Sequence, residues 1–139
     1  MHRPLTALLR SLLLAAAMGS LTGCDDDIRA NYANAAAARA DGAVKRGWLP
    51  EALPDSATDI TESHNLDTNT GSGSFRFGET DSESFRGGLQ SATQSQRERF
   101  ADHAKLQREG YTFHSCPEFV FAIHWQTRKA HFIFDMSSS

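Results

Sequence analysis

Apolar and polar residues alternate most regularly in the last third of the chain. Phe119, Phe121, Ile123 and Trp125 recur at every second position, and so do Ala130, Phe132, Phe134 and Met136. A period of two marks a half-buried strand, so residues 118–125 and 130–136 are expected to form strands joined across residues 126–129. A tight turn at Thr127-Arg128 would set Trp125 opposite Ala130, Ile123 opposite Phe132, Phe121 opposite Phe134 and Phe119 opposite Met136. Residues 111–115 are a further strand candidate. Upstream, residues 56–63 and 74–77 are expected to pair as a hairpin around the turn-rich residues 65–73. Residues 78–93 carry a weaker signal, with a short helix opening at Ser82 and weakened by Gly87-Gly88. A clearer helix is expected over residues 95–110: Ser95 and Glu98 have capping-box spacing, Gly110 ends the run, and Phe100, Ala104 and Gln107 share a narrow stripe. The whole reads as α+β: an antiparallel sheet of about five strands with one or two helices packed on one face.

The first residues follow a different pattern. His2, Arg3 and Arg10 give a basic start, residues 12–18 an apolar centre, and Leu21-Thr22-Gly23-Cys24 closes the stretch. The apolar centre is far shorter than the roughly 20 residues that cross a bilayer. The arrangement is that of an export signal, and Leu-x-Gly-Cys resembles a bacterial lipobox. The resemblance implies removal of residues 1–23 as a signal peptide and lipidation of Cys24 with diacylglycerol and a further acyl chain such as palmitate. An acyl chain contributes about 0.8 kcal/mol per buried CH₂, so three chains make a long-lived anchor. Asp25, Asp26 and Asp27 follow. An aspartate in that place resembles the signal for retention in the inner membrane, which implies an anchored protein on its periplasmic side; the alternative is a solvated acidic spacer. Residues 24–46, rich in alanine from 35 to 40, are expected to be a tether with helical tendency. Residues 47–139 are expected to be a single small domain, entered through Trp48-Leu49-Pro50 and Leu53-Pro54.

Removing residues 1–23 leaves 116 residues with 12 basic and 17 acidic side chains, a formal charge of −5. That length suits one domain. A mildly acidic chain without a basic cluster argues against nucleic acid as a partner. With Cys24 acylated, Cys116 has no partner for an internal disulfide and reads as a small buried hydrophobe.

Candidate chemistry is sparse. In the register above, His124 faces His131 on the polar side, with His114 and Asp135 near. Facing histidines hold zinc only with a third ligand, and a pair of half-exposed polar-face histidines is the simpler reading. Glu62-Ser63-His64 lacks the second histidine of a zincin helix. Residues 65–71 alternate oxygen donors like the start of a calcium loop. Its glycine falls one place late, however, and Arg76 stands where a glutamate belongs. Such side chains more often cap their own turns. There is no Gly-x-Ser-x-Gly and no Walker lysine. No cofactor is expected and no catalytic residue is assigned.

Residues 42–60 (GAVKRGWLPEALPDSATDI), continuing through His64-Asn65-Leu66-Asp67-Thr68-Asn69 and Phe75-Arg76-Phe77, resemble a motif of small bacterial lipoproteins and membrane-anchored proteins of unknown function. The resemblance implies an envelope setting and a compact domain. Trp48, His64, Asp67 and Asn69 are its candidate recognition residues. The expected function is a lipid-anchored, non-catalytic envelope module with the membrane and an envelope protein or peptidoglycan-associated component as partners. An inhibitor or immunity-type lipoprotein, or a small periplasmic metal-dependent hydrolase, are the alternatives.

Overall fold

The computed structural model describes residues 26–137. Seven strands form one antiparallel sheet in the order β1-β2-β3-β7-β6-β5-β4. They are β1 (Asp27–Asn34), β2 (Thr58–Asn65), β3 (Thr70–Arg76), β4 (Gln90–Ser91), β5 (Thr112–Cys116), β6 (Phe119–His124) and β7 (Lys129–Asp135). Four short α-helices interleave with them among the described residues: α1 (Ala35–Ala40), α2 (Ser82–Gly87), α3 (Gln94–Glu98) and α4 (His103–Arg108). The antiparallel α+β expectation therefore holds in outline, with seven strands instead of about five.

The period-two pattern of β6 and β7 sets the core. Phe119, Phe121 and Ile123 pair with Phe134, Phe132 and Ala130, and all six side chains are buried on one face, here the aromatic face. The register differs from the expected one by two residues. A two-residue type I′ turn needs positive φ at both central positions, which β-branched Thr127 resists. The chain instead uses a four-residue loop in which Arg128 alone takes φ 54° and the Thr127 N–H donates to His124 Nδ1 at 3.2 Å. A shift of two preserves which face each residue occupies, so the aromatics still meet. Trp125 leaves the strand and packs beside Phe77 and Phe85.

Helices lie on both faces, not one. On the aromatic face, Phe85 of α2 meets Phe75, Phe77 and Phe121. On the opposite face, Phe100 and Leu106 cover Val120 and Ala122. The expected single helix over residues 95–110 is two helices. Residues six apart on a straight helix point about 120° apart, so Phe100 and Leu106 reach the same patch only because the chain breaks between α3 and α4. The capping box uses Thr93 and Gln96, not Ser95 and Glu98. Gly110, at φ 97°, does end α4.

The largest correction concerns residues 24–46. Their described part is no tether. Residues 27–34 form β1 along β2, with Ile28, Ala30 and Tyr32 opposite His64, Glu62 and Ile60. The alanine run forms α1, whose Ala35 and Ala38, with Ala43 beyond it, are completely buried. Alanine serves here as a small side chain that lets a helix approach the sheet closely. Arg39 ties α1 to the following loop through Asp55 at 2.7 Å and the Leu53 carbonyl at 2.7 Å. The domain thus begins before residue 47. It spreads a cover of residues 35–57 over the aromatic face.

Gly71 and Gly73 of β3 face that cover, between His64 and Glu62 on one side and Phe134 and Phe132 on the other. A Cβ at Gly73 would collide with the Thr61 carbonyl oxygen and the Phe132 ring. Overpacking of this kind costs about 1–3 kcal/mol. Gly73→Ala is expected to lower unfolding stability by that amount in urea titrations, and an unchanged midpoint would show that the strand relaxes freely.

Candidate functional site

The sequence-level candidates separate in space. Trp48 and His64 come together: their rings stack with centroids 3.7 Å apart and an interplanar angle of 16°. Asp67 and Asn69 do not join them. They lie in the exposed turn between β2 and β3, where Asn65 Oδ1 accepts the N–H groups of Asp67 and Thr68, each at 3.0 Å. Asn69 takes φ 55° and bonds to the Met136 backbone. The oxygen-rich run thus caps its own turn.

The histidine set is also divided. His124 pairs with Lys129 and His131 with Ala122, so the two do not face each other. They flank Tyr111 instead, at ring distances of 5.3 and 5.5 Å. His114 sits across from Phe121 on the aromatic face, against Trp125. Its Nε2 is 2.8 Å from Thr112 Oγ1 and accepts the Trp125 Nε1–H at 3.3 Å. Strand parity separates it from the other two. Among the described residues no group of three or more His, Cys, Asp or Glu is arranged to hold a metal ion. Asp135 is exposed, and its carboxyl is held low by hydrogen bonds from Ser137. Burial pushes the half-buried Cys116 thiol up to about 11. Asp26 is exposed, while Cys24, Asp25 and residues 1–23 lie outside the described residues.

The most unusual polar arrangement joins the candidate residue His64 to Glu62, which was not among the sequence-level candidates. Glu62 and His64, two apart on β2, both point to the aromatic face and are each only 2% exposed. His64 Nδ1 and Glu62 Oε2 are 2.8 Å apart and share a hydrogen bond. Glu62 Oε1 and His64 Nε2 have no hydrogen-bond partner among the described residues. A buried polar atom without a partner costs about 1–3 kcal/mol, so the couple is held by its surroundings.

Those surroundings form a layered chain. Trp48 covers His64, and the Arg46 guanidinium lies 4.3 Å over the Trp48 ring. Arg46 donates to the Asp41 carbonyl at 2.8 Å and to Asp41 Oδ2 at 3.2 Å. Tyr32 of β1 donates its hydroxyl to the same carboxylate at 2.6 Å, and burial together with that bond pushes its phenol up to about 12. Gly47, at φ 82°, makes the turn that lays Trp48 down. The signal available in sequence was a Glu-x-His step matched by Gly71-x-Gly73 across the hairpin, since polar bulk facing paired glycines implies a crowded row.

Residues 26–76 match the family model of the YbbD head domain. That segment contains β1 to β3 and every member of the layered chain from Tyr32 to His64. Comparison with curated proteins finds no match, and comparison with solved structures finds none.

Leaving one member of a buried hydrogen-bonded couple without its partner costs about 1–3 kcal/mol, whereas apolar groups of the same shape in place of both can be nearly neutral. His64→Phe alone is expected to destabilise by that amount, and Glu62→Met/His64→Phe to recover most of it in the same denaturation assay. A double variant no better than the single would show that the couple is not an energetic unit.

A pH dependence follows from two other histidines. Burial, with Arg86 beside His114 and Lys129 beside His131, holds both imidazoles below their ordinary 6.5; Asp102 and Glu109 oppose this at His131. The unfolded chain therefore takes up protons first as pH falls. This contribution to stability is complete above about pH 6.5 and is lost progressively below it. Melting temperature is expected to fall between about pH 7 and pH 5.5, and less steeply in His114→Gln/His131→Gln. Equal slopes in both proteins would assign the effect elsewhere.

Proposed function

We propose that this chain is a lipid-anchored domain of the bacterial envelope, held on the periplasmic side of the inner membrane, that binds an envelope component and does not transform it. The single observation that carries the binding part is the uncovered polar face of β1, β2 and β3. Arg29, Asn31, Thr61 and Ser72 are all exposed there, while Phe100 and, from α4, Leu106 cover Val120 and Ala122 of β6, on the far side of β7. Its inner row is built of hydroxyls and amides, with Thr61 and Ser74 hydroxyls 3.1 Å apart across the hairpin. A face of this composition offers donors and acceptors to a polar partner, whose hydrogen bonds would offset the cost of desolvating them. The Glu62–His64 couple lies on the other face, beneath Trp48. The lipobox supports the anchor, and Asp25 and Asp26 support inner-membrane retention.

The anchor and the platform are tested together. The wild-type protein is expected to fractionate with membranes and to carry an acylated Cys24 in intact mass spectra. Cys24→Ser is expected to lose both properties. A photo-crosslinker at Thr61 is expected to give a discrete adduct in intact cells that one at Arg108, on α4, does not. Identical adducts from the two positions would remove the face from consideration.

A further inference from the structure

Where the open polar face meets α4, it deepens into a groove of about 480 Å³, within the size range of small-ligand sites. Its floor is formed by Ser72 and Ser74 of β3 and by His131 and Ile133 of β7, with Tyr111 and Leu106 among its other lining residues. We propose that this groove binds an uncharged, N-acetylated saccharide chain; the inference rests on the binding reading above and gives it a ligand class.

Three features of the groove select that chemistry. First, its charges are balanced. Lys105 lies 3.8 Å from Glu109, and Lys129 shares the lining with Asp102. A phosphorylated or polyanionic ligand would need an excess of cations. Second, the Ser72 hydroxyl, the Tyr111 phenol and the His131 imidazole in its lining are neutral hydrogen-bonding groups. The Tyr111 phenol is pushed up and the His131 imidazole down by burial, so both remain uncharged near neutral pH. With the Ser72 hydroxyl they offer donors and acceptors, the complement of sugar hydroxyls and an amide. Third, the groove is amphipathic. Phe100, Leu106 and Ile133 belong to one apolar cluster, and the half-buried Tyr111 ring offers a flat surface. The acetyl methyl suits the first, and the apolar face of a pyranose ring suits the second. Beyond Ser74 the exposed face continues through Thr61 to Asn31, and beyond Ser72 through Ser63 to Arg29, in line with a chain longer than one sugar.

The test is an amide chemical-shift titration of the full-length protein in detergent micelles with the β-1,4-linked tetramer of N-acetylglucosamine. Saturable shifts centred on Ser72, Tyr111, His131 and Ile133 are expected. Tyr111→Ala is expected to weaken binding about tenfold or more, the scale of a lost aromatic anchor. Ser72→Trp, an exposed position that adds bulk to the groove without entering the core, is expected to do the same with an unchanged melting temperature. Two further arms separate the sources of such a saccharide. Pelleting with purified cell-wall glycan and flotation with vesicles displaying the tetramer each support the proposal, and the stronger identifies the source. No shift at millimolar tetramer, shifts confined to other surfaces, or binding indifferent to both variants would overturn it. Preference for a sulfated saccharide over the neutral one would overturn it as well. A Thr61 adduct that survives such a failure would leave the binding module standing with a different ligand; loss of that adduct too would remove both.

Discussion

The aromatic face of the sheet cannot be left in water, and most of the architecture answers that constraint. Phe75, Phe119, Phe121, Phe132 and Phe134 are all buried there, each worth about 1.5–3 kcal/mol. Seven strands make a face too wide for one short helix. The cover is therefore assembled from α1, the loop through Trp48 and Leu53, and α2. Alanines at 35, 38 and 43 let that cover sit low, and the glycines of β3 leave room beneath it for the Phe132 and Phe134 rings. The opposite face has less apolar area and is covered by Phe100 and by Leu106 of α4. What remains of it stays polar and open.

What could be read from the chain divides along the same line. β6 and β7 were legible because every second residue is large and apolar, a pattern that no other element imitates. Their register was not legible, because it is set by how residues 125–128 turn, and the positive φ of Arg128 leaves no mark in composition. β1 carries a faint alternation at Ile28, Ala30 and Tyr32, but the alanine run after it suggested a detached helix. Propensity was right about the helix and silent about what it touches. The break between α3 and α4 is imposed by the sheet patch that Phe100 and Leu106 share. Such a tertiary demand overrides a local signal that favours continuity.

The histidines show the same division more sharply. Parity alone placed His124 and His131 on the polar side. It would also have separated His114 from them, had the β5 register been known. The buried couple escaped because Glu62 and His64 look like the polar half of an exposed strand. Their burial depends on β1 and the Trp48 loop closing over them, contacts between segments that are remote in composition and local only in three dimensions. A slip of one residue in β2 would turn both toward solvent and carry Thr61 and Ser63 inward. The couple thus discriminates between registers as well as occupying space.

β1 starts at Asp27, three residues after Cys24. Three extended residues reach about 10 Å, and the headgroup layer of one leaflet takes up roughly 5–7 Å of that. On a lipidated Cys24 the folded domain therefore rides against the bilayer, without a stalk. A domain of this size is about 35 Å across, so its range ends about one diameter above the lipid surface. If Cys24 is lipidated as proposed, the domain would meet an envelope ligand by lateral diffusion along a surface, at the raised effective concentration that a short link enforces. A partner beyond that shell would have to be brought down to it.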